Sequence, residues 1–128
     1  MSTPSVISVV DDDASVRASI DNLLRSRGYV VRTFESAGEL LESPDLNETS
    51  CVIADVQMPA MNGLELLANM RMRGSAARFV FITAFPDEGI RADALKAGAV
   101  GFLAKPCAAT NLIACIDAAL PRRAGVGT

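Results

Sequence analysis

The segment VISVVDDDAS, residues 6–15, joins an apolar run directly to three consecutive aspartates. Four of its first five residues are β-branched and apolar, a composition typical of a strand. Asp13 stands shortly before a helical pattern that starts at Val16, and aspartate is a favoured helix N-cap. The segment therefore predicts a strand, a turn and a helix. It also leaves Asp11 and Asp12 at the end of the strand, where neighbouring carboxylates repel each other unless a cation compensates them.

The same order of strand and helix is repeated along the chain. Further strands are predicted at residues 29–34, 51–54, 79–82 and 100–103. Further helices are predicted to begin near Ser36, Gly63 and Asp87, and a last one carries Leu112, Ile113, Ile116 and Leu120. The polar segment 45–50 is predicted to be a loop. Strands that are apolar on both faces and alternate with helices predict a parallel sheet covered on both sides, in the α/β fold class.

The composition excludes several classes of function. The 128 residues are half hydrophobic and 21% charged, as is usual for one globular domain. A net charge of −3 offers no basic surface for nucleic acid, and no apolar run approaches the roughly 20 residues of a membrane span. Histidine is absent and the cysteines are Cys51, Cys107 and Cys115, which excludes Cys-X-X-Cys zinc sites, Ser-His-Asp triads and Cys-His nucleophiles. The amino-terminal sequence lacks a signal-peptide pattern, so a cytoplasmic location is expected.

The residues with reactive or ligating side chains stand at the predicted strand ends. Asp11 and Asp12 follow the first strand, Asp55 the third and Thr83 the fourth, and Lys105 comes two residues after the fifth. In a parallel sheet, ligands bind at these carboxyl ends. Carboxylates without nitrogen or sulfur ligands favour Mg²⁺ over zinc. A hydroxyl and an ammonium beside that ion are suited to holding a phosphoryl group, and Asp55 is the candidate nucleophile for an aspartyl phosphate.

Together these motifs resemble the receiver domain of two-component response regulators. They are Asp11-Asp12, the segment DVQMP at 55–59 followed by Gly63, Thr83-Ala84 and Lys105-Pro106, in the family's order and spacing. The segments FITAFPD and AGAVGFLAKP are most similar to those of the nitrogen-fixation and nodulation regulators. The resemblance covers about residues 5–120. It implies a flavodoxin-like, doubly wound, five-stranded parallel sheet of order 2-1-3-4-5 with five helices.

The resemblance also implies a role for each acid of the site and for Lys105. Asp55 would accept a phosphoryl group from the phosphohistidine of a sensor histidine kinase. Asp12, Asp55 and the backbone carbonyl of Gln57 would bind magnesium, with Asp11 acting largely through a bound water. Lys105 would pair with Asp55 before phosphorylation and with the phosphoryl group afterwards.

The remaining implied roles concern a switch of conformation. Thr83 and Ala84 would contact the phosphoryl group, Thr83 by swinging inward, and Phe102 would rotate inward with it. This change would repack the surface formed by the fourth helix, the fifth strand and the last helix, the family's usual output surface. A homodimer formed on phosphorylation is compatible with such a switch. Neither nucleic acid nor a membrane is an expected partner of the domain itself.

Two arrangements of the protein remain open, and an enzymatic one is disfavoured. The receiver domain is predicted to span residues 1–121, with 122–128 as a flexible tail or a truncated linker. The chain is then either a stand-alone receiver or the amino-terminal regulatory half of a helix-turn-helix transcription factor. In both it is a phosphoacceptor and not a turnover enzyme. A haloacid-dehalogenase-type phosphatase would need an aspartate as general acid at position 57, and Gln57 cannot donate that proton.

Overall fold

The computed structural model describes residues 5–120, in which five parallel strands form one sheet. The strands are β1 (Val6–Val10), β2 (Val30–Phe34), β3 (Thr49–Asp55), β4 (Arg78–Thr83) and β5 (Gly101–Ala104). The helices are α1 (Ala14–Ser26), α2 (Ala37–Leu41), α3 (Gly63–Met72), α4 (Glu88–Lys96) and α5 (Ala109–Ala119), and a short 3-10 helix covers Leu46–Glu48. The strand order is β2-β1-β3-β4-β5, which confirms the predicted fold class and topology. The predicted tail at 122–128 lies outside the described residues.

Each face of the sheet carries its own hydrophobic core, because successive side chains of a strand point to opposite faces. Val52 and Ala54 of β3 pack with residues of α2, α3 and α4 on one face. Cys51 and Ile53 pack with residues of α1 and α5 on the other. All four side chains are fully buried. Burial also raises the pKa of the Cys51 thiol to about 12, so this cysteine is a core residue with little thiolate character.

The ends of the helices follow the signals in the sequence. The Asp13 carboxylate accepts hydrogen bonds from the N–H groups of Ser15 at 2.9 Å and Val16 at 3.3 Å, so Asp13 is the N-cap of α1 as predicted. Gly28 and Gly98 follow α1 and α4 with φ values of 90° and 107°, a left-handed conformation that favours glycine. No helix within residues 5–120 is long and apolar enough to cross a membrane.

The prediction of a loop at residues 45–50 is wrong in part. The segment contains the 3-10 helix, and β3 already begins at Thr49. The Thr49 and Ser8 hydroxyls are buried and lie 2.8 Å apart in a hydrogen bond between β3 and β1. A buried strand residue that is polar and satisfied by a neighbouring strand gives no hydrophobic signal, which explains the error. β5 begins at Gly101, one residue later than predicted, and Val100 is exposed.

Candidate functional site

The carboxyl ends of four strands meet at one edge of the sheet and bring predicted site residues into contact. Asp11 directly follows β1, Asp55 and Thr83 end β3 and β4, and Lys105 directly follows β5. The Lys105 N–H donates to the Thr83 carbonyl oxygen at 2.7 Å, which fixes the lysine beside β4. Its ammonium donates to Asp55 Oδ2 at 2.8 Å and to Asp11 Oδ2 at 2.9 Å. Residues 94 positions apart in sequence thus share one hydrogen-bonded group.

The second oxygen of each of these carboxylates is held by the turn that follows its strand. Asp11 Oδ1 accepts from the Asp13 N–H at 2.9 Å, and Asp55 Oδ1 accepts from the Gln57 N–H at 2.9 Å. The Arg17 guanidinium also donates to the Asp11 backbone carbonyl at 2.6 Å. Because both oxygens of each carboxylate are fixed, the two acids are held in one orientation before any ligand binds.

The charge balance of the site favours an additional cation. Asp11 is fully buried and Asp55 is 6% exposed. Burial raises the pKa of Asp11, although the hydrogen bond from Lys105 acts in the opposite direction. Burial acts to lower the pKa of Lys105, but its hydrogen bonds to Asp55 and Asp11 and the negative charge of the two acids together outweigh burial, and the pKa is raised. Both shifts favour the protonated form, as expected where acids outnumber bases.

Asp12 completes a cluster of three acids that fits a metal ion. Asp11, Asp12 and Asp55 each offer a carboxylate oxygen, and these oxygens lie within 4.8 Å of one another. Asp12 is exposed, and within the described part of the chain no hydrogen bond or ion pair engages its carboxylate. With all groups ionised, the three acids and Lys105 carry a net charge of −2, the charge that one divalent cation neutralises. The donors are all oxygen, so the cluster suits a hard cation such as Mg²⁺.

The residues predicted for the switch lie in two separate places. Thr83 is fully buried; its hydroxyl donates to Gln57 Oε1 and accepts from the Phe85 N–H at 3.1 Å. Ala84 is exposed and lines, with Lys105, a cavity of about 550 Å³ beside α1. Phe102 lies elsewhere: it is half-buried and packs against the core on the α2, α3 and α4 face.

Phe102 also borders a groove between β5 and α4. The groove has a volume of about 340 Å³, and its other walls include Glu88 and Arg91 of α4. An aromatic ring in this position couples the packing of β5 to that of α4. Its predicted inward rotation on phosphorylation stays a prediction.

Sequence reasoning missed one contact of the site. It named Gln57 for its backbone carbonyl and as a residue that cannot act as a general acid, but it assigned the side chain no partner, whereas the Gln57 side chain accepts the Thr83 hydroxyl proton. The two residues are 26 positions apart, and an exposed polar residue in a loop carries no pattern that points to a partner. The position of Gln57 two residues after Asp55 was the only available signal.

Comparison with known proteins identifies the family. The sequence model of one protein family, described as the response regulator receiver domain, matches residues 7–117 of this chain. The chain belongs to the response regulator receiver family. Receiver domains of this family are regulatory phosphoacceptors that interact with histidine kinases. The resemblance found in the strand-end motifs is therefore confirmed.

The receiver's relatives include transcription regulators about twice its length. Nodulation protein W of Bradyrhizobium diazoefficiens is 38% identical over 121 residues, which are 94% of this chain and 53% of that protein. Transcriptional regulatory protein FixJ of the same organism is 38% identical over 120 residues, 94% of this chain and 58% of that protein. Transcriptional regulatory protein TdiR of Thauera aromatica is 40% identical over 116 residues, which are 91% of this chain and 51% of that protein. The receiver thus spans about half the length of the curated relatives it matches.

Solved structures of relatives have the same fold. FixJ-N is 33% identical with a TM-score of 0.81, and the match covers 92% of this chain and 94% of that chain. Response regulator StyR is 39% identical with a TM-score of 0.84, and the match covers 92% of this chain and 60% of that chain. The five-stranded topology is therefore that of receiver domains with solved structures.

Proposed function

We propose that this receiver accepts a phosphoryl group on Asp55 from the phosphohistidine of a sensor histidine kinase. The observation that carries the proposal is the environment of the Asp55 carboxylate. It is almost buried, its Oδ1 accepts from the Gln57 N–H, and its Oδ2 accepts from the Lys105 ammonium. A carboxylate fixed in this way beside two further acids is suited to accept a phosphoryl group when a cation is bound.

The transfer exchanges one bond to phosphorus for another. An Asp55 carboxylate oxygen forms a bond to phosphorus while the bond between phosphorus and the kinase imidazole breaks, and the electron pair stays on the imidazole nitrogen. Lys105 lies within hydrogen-bond distance of the carboxylate, so its ammonium can turn to a phosphoryl oxygen as charge moves onto that group. The chain has no general acid at Gln57, and we assign it the role of a phosphoacceptor and not of a turnover enzyme.

Magnesium is the cofactor that we assign to the acid cluster. Asp11, Asp12 and Asp55 would hold it with the backbone carbonyl of Gln57, and Asp11 would act largely through water. When bound, the ion neutralises negative charge on phosphoryl oxygens. Asp12 supports this assignment because its exposed carboxylate has no partner within residues 5–120.

The output is proposed from the switch residues and from the relatives. Thr83 and Ala84 would contact the phosphoryl group, and Phe102 would change the packing of the surface formed by α4, β5 and α5. On phosphorylation a second copy of the chain would bind to this surface and form a homodimer. Because the relatives include proteins named as transcriptional regulators, we propose the chain as the regulatory half of such a protein, with a receiver at 1–121. The cytoplasmic location belongs to the same proposal.

A phosphodonor experiment tests the acceptor. Wild type and Asp55→Asn are incubated with acetyl phosphate and Mg²⁺, and intact masses are measured. We expect the mass of one added phosphoryl group on the wild type and none on Asp55→Asn. A phosphoryl mass that persists in Asp55→Asn would assign the acceptor to another residue.

A melting experiment tests the metal. Magnesium is expected to raise the melting temperature of the wild type, because it relieves repulsion in the acid cluster. Asp12→Asn should weaken this effect. Asp93→Asn, which removes an exposed carboxylate of α4, should keep it and serves as the matched control. Equal magnesium responses of the two variants would contradict the assignment.

A further inference from the structure

The Thr83 hydroxyl has two hydrogen-bond partners among the described residues. It donates its proton to Gln57 Oε1 and accepts the Phe85 N–H at 3.1 Å. Gln57 also donates its own N–H to Asp55 Oδ1 at 2.9 Å. One residue, Gln57, therefore contacts both the proposed phosphoacceptor and the proposed switch hydroxyl.

A hydroxyl has a single proton to donate. While Thr83 donates to Gln57 Oε1, it cannot donate to a phosphoryl oxygen on Asp55. Formation of the bond to the phosphoryl group therefore requires that the bond to Gln57 be broken. The two acceptors compete for the same proton.

Burial makes this competition a choice between two states. Thr83 is 0% exposed, so water is not a ready partner for its hydroxyl, and an unpaired buried hydroxyl is costly. Gln57 is exposed, so its amide can bond to water once it is released. The hydroxyl thus has two low-energy arrangements, and the Gln57 side chain stabilises the one without a phosphoryl contact.

We propose that Gln57 is a positioning residue that holds Thr83 in the unphosphorylated conformation and so weakens the engagement of a phosphoryl group at Asp55. The inference rests on the proposed function, because it concerns how the phosphoryl group competes for Thr83. It deepens that function by naming the contact that opposes activation.

The experiment measures the affinity for beryllium fluoride, a phosphoryl mimic, in the presence of Mg²⁺. Gln57→Met keeps the length of the side chain and removes the oxygen acceptor. Because one net hydrogen bond of the unliganded state is lost, we expect Gln57→Met to bind beryllium fluoride about three- to tenfold more tightly than the wild type.

A double-mutant cycle isolates the contact. Thr83→Val removes the hydroxyl, so the Gln57 side chain has no hydrogen bond to accept from position 83. In that background, Gln57→Met should change the affinity by less than about twofold. The inference is overturned if Gln57→Met binds beryllium fluoride no more tightly than the wild type. It is also overturned if Gln57→Met raises the affinity by the same factor in the Thr83→Val background.

A second measurement needs no phosphoryl mimic. Three-bond NMR couplings of the Thr83 methyl group report its χ1 rotamer. We expect one rotamer in the wild type and in Gln57→Glu, which keeps an oxygen acceptor, and averaging between rotamers in Gln57→Met. An unchanged single rotamer in Gln57→Met would also overturn the inference.

The same titration separates this inference from the proposed function. Beryllium fluoride binding by the wild type that is lost in Asp55→Asn supports the proposed acceptor. If the wild type shows no such binding, the proposed function fails and the inference fails with it. If the wild type binds and Gln57→Met gains nothing, only the inference on Gln57 fails.

Discussion

Replacement of Gly63 by alanine would disturb a close approach between α3 and the backbone of β3 at Asp55. A Cβ atom at position 63 would lie 2.7 Å from the Asp55 backbone carbonyl oxygen and 2.8 Å from a ring carbon of Phe81. Phe81 is fully buried in the core, and the carbonyl belongs to the backbone of β3. Neither atom can retreat as the end of a flexible side chain would. The first turn of α3 therefore fits against β3 only without a side chain.

Two opposing effects determine the stability of Gly63→Ala. Alanine is favoured over glycine within a helix by about 1 kcal/mol. Overpacking of a well-packed core costs about 1–3 kcal/mol, and two contacts below 3.0 Å with rigid partners place Gly63 near the upper end of that range. We expect the free energy of unfolding to fall by about 2 kcal/mol.

Gly38→Ala provides the matched control within the same chain. Gly38 lies in α2, is exposed, and its added Cβ would meet nothing closer than Ser36 Oγ at 3.9 Å. Only the preference of a helix for alanine over glycine then acts, and Gly38→Ala should raise the free energy of unfolding by about 0.5–1 kcal/mol. Urea unfolding followed by circular dichroism measures both variants. A Gly63→Ala protein as stable as the wild type, or equal losses in both variants, would refute the argument from close contact.

Three further predictions concern the Lys105 ammonium, the helix cap at Asp13 and the Tyr29 hydroxyl. Lys105→Met leaves two acids without their cation and should lower the free energy of unfolding by about 2–3 kcal/mol in urea titrations without Mg²⁺. This loss is smaller than the usual one for fully buried ion pairs, because the Lys105 side chain is 18% exposed. The control Lys96→Met, at an exposed lysine, should change the free energy of unfolding little. Hydrogen bonds from Ser15 lower the pKa of Asp13. The stabilisation of the fold by the Asp13 carboxylate is therefore present above about pH 4 and is lost as the pH falls through the lowered pKa. In urea titrations at acid pH the wild type should lose stability relative to Asp13→Asn, and the same dependence of stability on pH in both proteins would count against the cap. Tyr29→Phe removes the 2.7 Å hydrogen bond to Asp117 and should lower the free energy of unfolding by about 1 kcal/mol in thermal or urea unfolding. The loss should be smaller in the Asp117→Ala background, and an equal loss there would count against the contact with Asp117.

The fold was predictable where apolar patterns and helix signals agree. β3 is buried on both faces at Val52 and Ile53, so a short apolar run was sufficient to predict it. The start of the same strand was missed because Thr49 is polar and satisfies its hydroxyl on Ser8. A one-dimensional pattern contains the burial preference of a residue but not the partner that makes a polar residue tolerable in the core.

The site was predictable to the extent that topology alone gathers it. Asp11, Asp55, Thr83 and Lys105 are neighbours because parallel strands end at one edge, and that follows from the order of elements. The hydrogen bond from Thr83 to Gln57 does not follow from topology. It depends on the conformation of the turn after β3, where the backbone at Ala60 has a positive φ of 68°, and sequence alone does not fix that conformation.

The three consecutive aspartates after β1 illustrate how the end of a strand separates like charges. Asp11 is fully buried against the Lys105 ammonium, Asp12 is exposed in the acid cluster, and Asp13 turns to the first N–H groups of α1. The backbone bends after β1, so the three side chains point in different directions, and the opposite pKa shifts of Asp11 and Asp13 indicate that each meets a different environment. The repulsion expected of three adjacent acids therefore falls mainly on Asp11 and Asp12, because these two remain near Asp55. The negative charge that a bound cation would compensate therefore lies at that point and not along the whole run, since Asp13 is already compensated by the helix that it caps.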